Sequence, residues 1–415
     1  MRRVAEASSV AAVLLGSLLV CATAAGQDTR PAQKEPSMDL GDYQHPGVAQ
    51  FLPAFYPAVL DRMNFPLAWQ SGRYGDFDQW RQAARAKVME CLLKPPPTAP
   101  FEPRWIAQED RGSYVACKLT LNITGDSRVL AYLLVPKSPP PHPAVVLLHD
   151  HGARFDIGKE KVIRPFGDAP KLESATPFVK LCYGGLWIGD ELARRGYVCF
   201  ATDALNWSDR GGAGFDGQNA LASNLMHMGM SWAGLIAHED LRATEFVSQL
   251  GQVDARRVAA MGLSMGCCRA WQLSALTDRI AAGVAICWMG TIAGQMQPGM
   301  NQTAGQSAFS MLHPGLHDSL DYPDVASIAC PKPMLFFNGA QDPLFPAGDV
   351  RRAYDRMRQV WASQGASEHL VTKLFDAPHE FNRAMQQEAF AWLDMVLSHQ
   401  PPASYQYGAA PEPAP

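Results

Sequence analysis

No Cys-x-x-Cys pair occurs among the nine cysteines of this 415-residue chain, so a structural zinc site has no ligand spacing to rest on. There is no basic stripe with interleaved aromatics, and the formal net charge is only −4; the electrostatic footprint of a nucleic-acid binder is missing. After the first twenty residues no apolar run is long enough to cross a bilayer. No segment repeats at a fixed period, which removes propellers and solenoids. What is present is ordinary: 47% hydrophobic and 18% charged residues, the balance of a globular protein. The length holds one large α/β domain with extensions, or two average domains.

The N-terminus reads as an export signal over residues 1–26. Met1-Arg2-Arg3 is a short basic start, Ala11 to Val20 a compact apolar run, and Ala22-Thr23-Ala24 the small-residue cleavage spacing. The expected location is periplasmic or extracellular. Cys21 opens a lipoprotein alternative, against which stands the bulky Val20 before it. Nine cysteines less Cys21 leave eight; export permits disulfides, and the sequence does not pair them. Cys199 and Cys287 lie in apolar strand-like runs and read as buried free thiols. Residues 27–100 form an N-terminal extension whose helix, Asp76 to Leu93, repeats Trp80, Ala84, Val88 and Leu92 at helical spacing and packs on the core. Residues 399–415 are a Pro/Ala-rich tail read as disordered.

Between them, 101–398 alternate strands with helices. Tyr114–Ile123 and Val129–Val135 are neighbouring antiparallel strands bounded by turn residues. Strands follow at 144–148, 197–202, 258–261, 283–288, 334–338 and 371–375, and helices at 188–195, 234–250, 266–276, 350–364 and 381–397. This alternation predicts an α/β fold, a mostly parallel central sheet flanked by helices, with ligands at the carboxyl ends of the strands.

Three such strand ends carry chemistry. Gly262-Leu263-Ser264-Met265-Gly266 joins a strand directly to a helix, a sharp turn that exposes a serine hydroxyl in front of a helix N-terminus. Serine needs a base, and the base needs an orienting acid. Asp342 follows the strand Met334–Asn338, and His379 follows the last strand, so nucleophile, acid and base occur in the chain order the turn motif requires. Asp376, Asp203 and Asp209 are weaker rivals for the acid; His313 and His317 lie in a loop and could touch substrate.

Leu148-His149-Asp150-His151-Gly152-Ala153 ends the strand before the first crossover. The backbones of His151 and Met265 are the expected oxyanion-hole donors. A metal reading of His149, Asp150 and His151 is disfavoured because adjacent side chains in extended backbone diverge; no metal or organic cofactor is implied. His149 is expected to brace the loop. The insertion 153–186, with Arg154, Lys159, Lys161 and Arg164, suggests either a cationic lid that could grip a carboxylate-bearing substrate or a solvated charged loop. Arg154, Trp207 and Trp288 are the candidate substrate contacts; core packing is the alternative for the two tryptophans.

The segments His149–Gly152, Gly262–Gly266, Asn338–Pro346 and Pro378–Phe381 resemble the α/β-hydrolase superfamily, and within it the dienelactone-hydrolase-like and acetyl-xylan-esterase-like branch, over residues 75–398. The resemblance implies a serine esterase with the triad Ser264, Asp342 and His379, acting on a small-molecule or carbohydrate ester. It departs from dienelactone hydrolases in having serine rather than cysteine at the nucleophile position, and from glucuronoyl esterases in having Met265 where they carry arginine. A serine peptidase of the same fold and a non-catalytic binding protein are the alternatives. The missing propeller repeat argues against the oligopeptidase type, and the filled catalytic positions against a mere binder. Acyl group, alcohol and oligomeric state are not readable.

Overall fold

The structure is a computed structural model that describes residues 47–398. The expected export signal with Cys21 and the expected Pro/Ala-rich tail lie outside the described residues. No described helix is long and apolar enough to cross a membrane.

Nine strands form one sheet: β1 (Arg104–Asp110), β2 (Tyr114–Asn122), β3 (Arg128–Pro136), β4 (His142–Leu148), β5 (Val198–Thr202), β6 (Val253–Leu263), β7 (Ala282–Ile286), β8 (Met334–Gly339) and β9 (Leu370–Phe375). Their spatial order is β9-β8-β7-β6-β4-β5-β3-β2-β1. The first three are an antiparallel meander that joins antiparallel to β5; from β5 onward every pairing is parallel. Because β4 pairs with both β5 and β6, the chain reverses its direction of travel across the sheet there, and a crevice opens at the strands' carboxyl ends.

Parallel strands buried on both faces alternate which helices they meet. Val145 and Leu147 of β4 pack with α2 (Ala169–Cys182), α3 (Ile188–Arg194) and α8 (Arg383–Ser398) through Phe178, Leu192 and Leu393. Ala144, Val146 and Leu148 face the other way, onto α5 (Trp232–Ser248) and α6 (Met265–Leu276). On that side α1 (Phe77–Cys91) and α7 (Ala347–Ser363) complete the layer, with Trp80, Ala84 and Val88 of α1 fully buried. Asp76 caps α1 by accepting from Gln79 N–H at 2.7 Å, and Ser231 caps α5 through Gly234 N–H at 2.9 Å.

The expected elements are present within a few residues of their expected ends. Besides several shorter strands, helices and turns, three elements of seven residues or more were not anticipated: β1, α2 inside the 153–186 segment, and α4 (Gly214–His227). β1 is an edge strand with nearly every residue exposed on both faces, so it lacks the alternation that marks a half-buried strand. The eight cysteines of the described residues are all free thiols, and Cys199, Cys267, Cys268 and Cys287 are buried.

Candidate active site

The turn after β6 holds Ser264 at φ 58° and ψ −122°, a region that L-residues occupy only under constraint. The constraint is visible in its flanking glycines. A Cβ on Gly266 would lie 1.9 Å from Leu148 O, and one on Gly262 would lie 2.3 Å from Gly266 O. Only glycine lets β4, β6 and α6 approach this closely. Ser264 N–H donates to Ile286 O at 2.8 Å, tying the turn to β7, and Ser264 is the N-cap residue of α6.

Asp342 leaves β8 in a tight turn. Its Oδ1 accepts from Leu344 N–H at 2.9 Å, and its Oδ2 accepts from His379 Nδ1–H at 2.6 Å. Nδ1 therefore carries the proton, and Nε2 is left as an acceptor. Gly339 makes this pairing possible: a Cβ there would sit 2.3 Å from Ala377 O and 2.4 Å from Pro378 O. The backbone leading to His379 thus crosses directly over the end of β8, held by Gln341 N–H to Ala377 O.

Ser264 and His379 line one cavity of about 220 Å³. They are not hydrogen-bonded to each other among the described residues. Phe178, Phe215, Leu263, Trp288, Met311, Leu344 and Phe345 form apolar walls; Asn301, Gln306 and Ser307 add neutral polar surface. Among the described residues no lysine or arginine lines it. Phe345 lies parallel to the His379 ring at 6.1 Å. Cys287 Sγ lies within 4.8 Å of ligand atoms of Asp342 and His379. Burial first, and the Asp342 carboxylate second, push that thiol's pKa up, so it packs against the acid–base pair as a neutral group.

His151 and Gly152 line the same cavity as Ser264. The His151 ring stacks on Phe215 at 5.6 Å and meets Trp207 edge-on at 5.1 Å. Met265 adds no lining surface: its side chain belongs to the core. As the first residue of α6 its N–H has no intrahelical acceptor, which is the only role expected of it. His149 braces the loop: its Nδ1 donates to Asp150 O at 2.9 Å and its Nε2 accepts from Ala204 N–H at 3.0 Å. His149 and His151 thus spend their ring nitrogens on different partners, not on a shared ligand.

Two expected substrate contacts are elsewhere. Arg154 does not line the cavity; Asp156 and Ser174 hold its guanidinium. Trp207 is fully buried, stacked on Trp232 and Phe155, and donates Nε1–H to His151 O at 3.2 Å. It supports the loop from behind. Trp288 does line the cavity. The cationic lid also fails. Lys159 is buried against Glu160, Asp203 and Asp209, and Lys161 against Asp150; Arg164 pairs with Glu109. Short-range ion pairing consumed the charges that the composition left open. Asp203 and Asp209 are accounted for by Lys159, Asp376 accepts from Gln341 Nε2–H, and His313 bonds Gln272. His317 donates to Leu320 O. The wall from Asn301 to Met311, and Lys161, Tyr183 and Gln218 behind the loop, had no periodicity or motif to announce them.

The Abhydrolase family model matches residues 59–388. A Bacillus subtilis (strain 168) protein that carries a hydrolase name, YtaP, is 26% identical over 321 residues, 76% of this chain and 100% of that one. Among solved structures, a Bacteroides fragilis NCTC 9343 protein named as an acetyl xylan esterase superposes with TM-score 0.61 at 19% identity, covering 78% of this chain and 81% of that one. A glucuronoyl esterase from Solibacter usitatus gives TM-score 0.60 at 14% identity, covering 80% and 96%. At these identities the structural likeness speaks for the fold.

Proposed function

Because this chain belongs to the Abhydrolase family, we propose that it hydrolyses carboxylic esters through an acyl-enzyme formed on Ser264. The observation that carries this reading is a strained serine at a helix N-terminus sharing one cavity with a histidine whose Nδ1 is already engaged by a buried aspartate. His379 Nε2 takes the Ser264 proton as Oγ attacks the ester carbonyl, and Asp342 holds the ring and stabilises its cationic form. That contact forms with substrate bound, since hydrogen bonds of this kind often tighten only in the complex. The N–H groups of His151 and Met265 receive the oxyanion. The Oγ–acyl bond is made as the C–O bond to the alcohol breaks, and His379 protonates the leaving alkoxide. A water deprotonated by the same nitrogen then releases the acid and restores Ser264.

The walls favour an uncharged ester. With no lysine or arginine among the described residues of the lining, a substrate carboxylate would lose its hydration without gaining a partner. The neutral amides of Asn301 and Gln306 suit hydroxyl-bearing alcohols, which agrees with short acyl esters of carbohydrates. Ser264→Ala should remove the burst of product from p-nitrophenyl acetate and labelling by a fluorophosphonate, with an unchanged circular dichroism spectrum. Full activity in that variant would overturn the assignment.

A further inference from the structure

Two peptide units set the direction of the oxyanion loop, and one buried side chain holds both. Lys161 sits in the short turn Lys159–Lys161 and is fully buried. Its ammonium donates to Asp150 O at 3.0 Å and to His151 O at 2.8 Å. It also lies 3.5 Å from Asp150 Oδ2 and 5.1 Å from the centre of the Phe178 ring. In a trans peptide the carbonyl and the next N–H point in opposite directions. A cation behind Asp150 O therefore aims the N–H of His151 the other way, and a cation behind His151 O does the same for Gly152.

The loop needs holding. Gly152 and Ala153 stand at φ 58° and 51°, and left-handed alanine is strained. A Cβ on Gly152 would meet Asp150 Oδ2 at 2.4 Å and the Phe178 ring at 2.5 Å, so the backbone is clasped from both sides. Tyr183 O–H donates to Asp150 Oδ1 at 2.6 Å, and Trp207 Nε1–H shares His151 O. A peptide whose carbonyl accepts from an ammonium is also polarised, which strengthens its own N–H as a donor.

We propose that Lys161 is a positioning residue that aims and polarises the oxyanion-hole N–H of His151 and fixes the Gly152 peptide that follows it. This rests on the ester-hydrolase reading above. It gives an insertion lysine a place in the reaction, acting through backbone carbonyls and touching no substrate.

The test uses Lys161→Met, with Trp207→Phe as a milder second variant that removes only one donor to His151 O. Val247→Ala, on the buried face of α5 and away from the cavity, controls for loss of stability alone. Turnover of p-nitrophenyl acetate is measured with inhibition by an alkyl trifluoromethyl ketone, whose hemiketal oxygen occupies the oxyanion position. Lys161→Met should lower kcat about 10- to 100-fold, a fraction of what deleting a donor removes, with KM within twofold. It should weaken the ketone by the same factor. Trp207→Phe should show the same pattern at about two- to fivefold, and Val247→Ala a lower melting temperature with unchanged kcat. A Lys161→Met protein that melts earlier but keeps its kcat and ketone affinity overturns the proposal. If Lys161→Met does not fold, an unchanged kcat in Trp207→Phe overturns it. A wild-type protein that neither turns over the ester nor labels at Ser264 would instead defeat the ester-hydrolase reading.

Discussion

His151 shows how much a single ring can be asked to do. Its Nδ1 accepts from Ala153 N–H at 3.1 Å, so Nε2 carries the proton and donates to Gln218 Oε1 at 2.7 Å. Burial pulls its pKa down from 6.5 to about 4; the Gln218 bond opposes this, and the neighbouring Lys161 adds to it. The folded value lies below the unfolded one, so between them the unfolded chain binds more protons and stability rises with pH. The contribution is complete above pH 6.5 and is lost as pH falls through about 4, a span of about 3 kcal/mol. The melting-temperature gap between the wild type and His151→Asn should therefore narrow from pH 7 to pH 4.5; a constant gap would mean that the ring is not held neutral. Asp342→Asn belongs to the same scale. An amide at 342 can present N–H to Nδ1 and favour the wrong tautomer, so kcat should fall roughly 10³- to 10⁴-fold with little change in KM, as measured by steady-state kinetics. At this scale the sequence was readable where position and chemistry coincided. Ser264, Asp342 and His379 each follow their own strand, and they do converge on one rim. Arg154 and Trp207 were misread because nothing in the sequence says which neighbours take up a guanidinium or bury an indole.

Among the elements, three glycines decide how closely backbones cross. Gly262 and Gly266 let β4 meet the serine turn, and their role follows from the motif itself. Gly339 had no motif, yet it admits the 377–378 backbone that delivers His379. Gly339→Ala should push that segment outward. The expected result is a fall in kcat of at least tenfold and a destabilisation of about 1–3 kcal/mol, typical of an overpacked site, read by kinetics and denaturant melts. Activity and stability both unchanged would show that the crossing is looser than the distances imply. Strongly patterned elements such as α1, with its buried Trp80, Ala84 and Val88, were legible from spacing alone. β1 was not, because an exposed edge strand has no face to hide. α2 was passed over because it lies in the segment read as an insertion, and α4 because no element was assigned between the strand at 197–202 and the helix at 234–250.

For the whole molecule, the sheet order places the carboxyl ends of β4, β6, β7, β8 and β9 around one crevice, and Phe178 of α2, Phe215 of α4 and the turns of 301–311 add its walls. The parallel layering was inferable from alternation; the strand order and the walls were not, since alternation does not say which strands are neighbours and 301–311 consist of short turns without period. The resulting cavity is mostly apolar, and its polar lining, which includes Asp150, Asn301, Gln306 and Ser307, has no lysine or arginine among the described residues; this sets a preference. Acetyl esters of neutral sugars should be hydrolysed at least tenfold faster, by kcat/KM, than methyl esters of uronic acids bearing a further free carboxylate. The reverse order would point to a cation reaching the substrate from outside the observed lining.

The most direct test of the central claim is to quench the reaction of the protein with p-nitrophenyl acetate in acid within milliseconds and to locate the added mass by peptide mapping. The account predicts one acetyl group, on Ser264, that builds up faster than it is lost and is absent when His379 is replaced by alanine. An acetyl group formed rapidly on another residue, or turnover with no acylated Ser264, would contradict it.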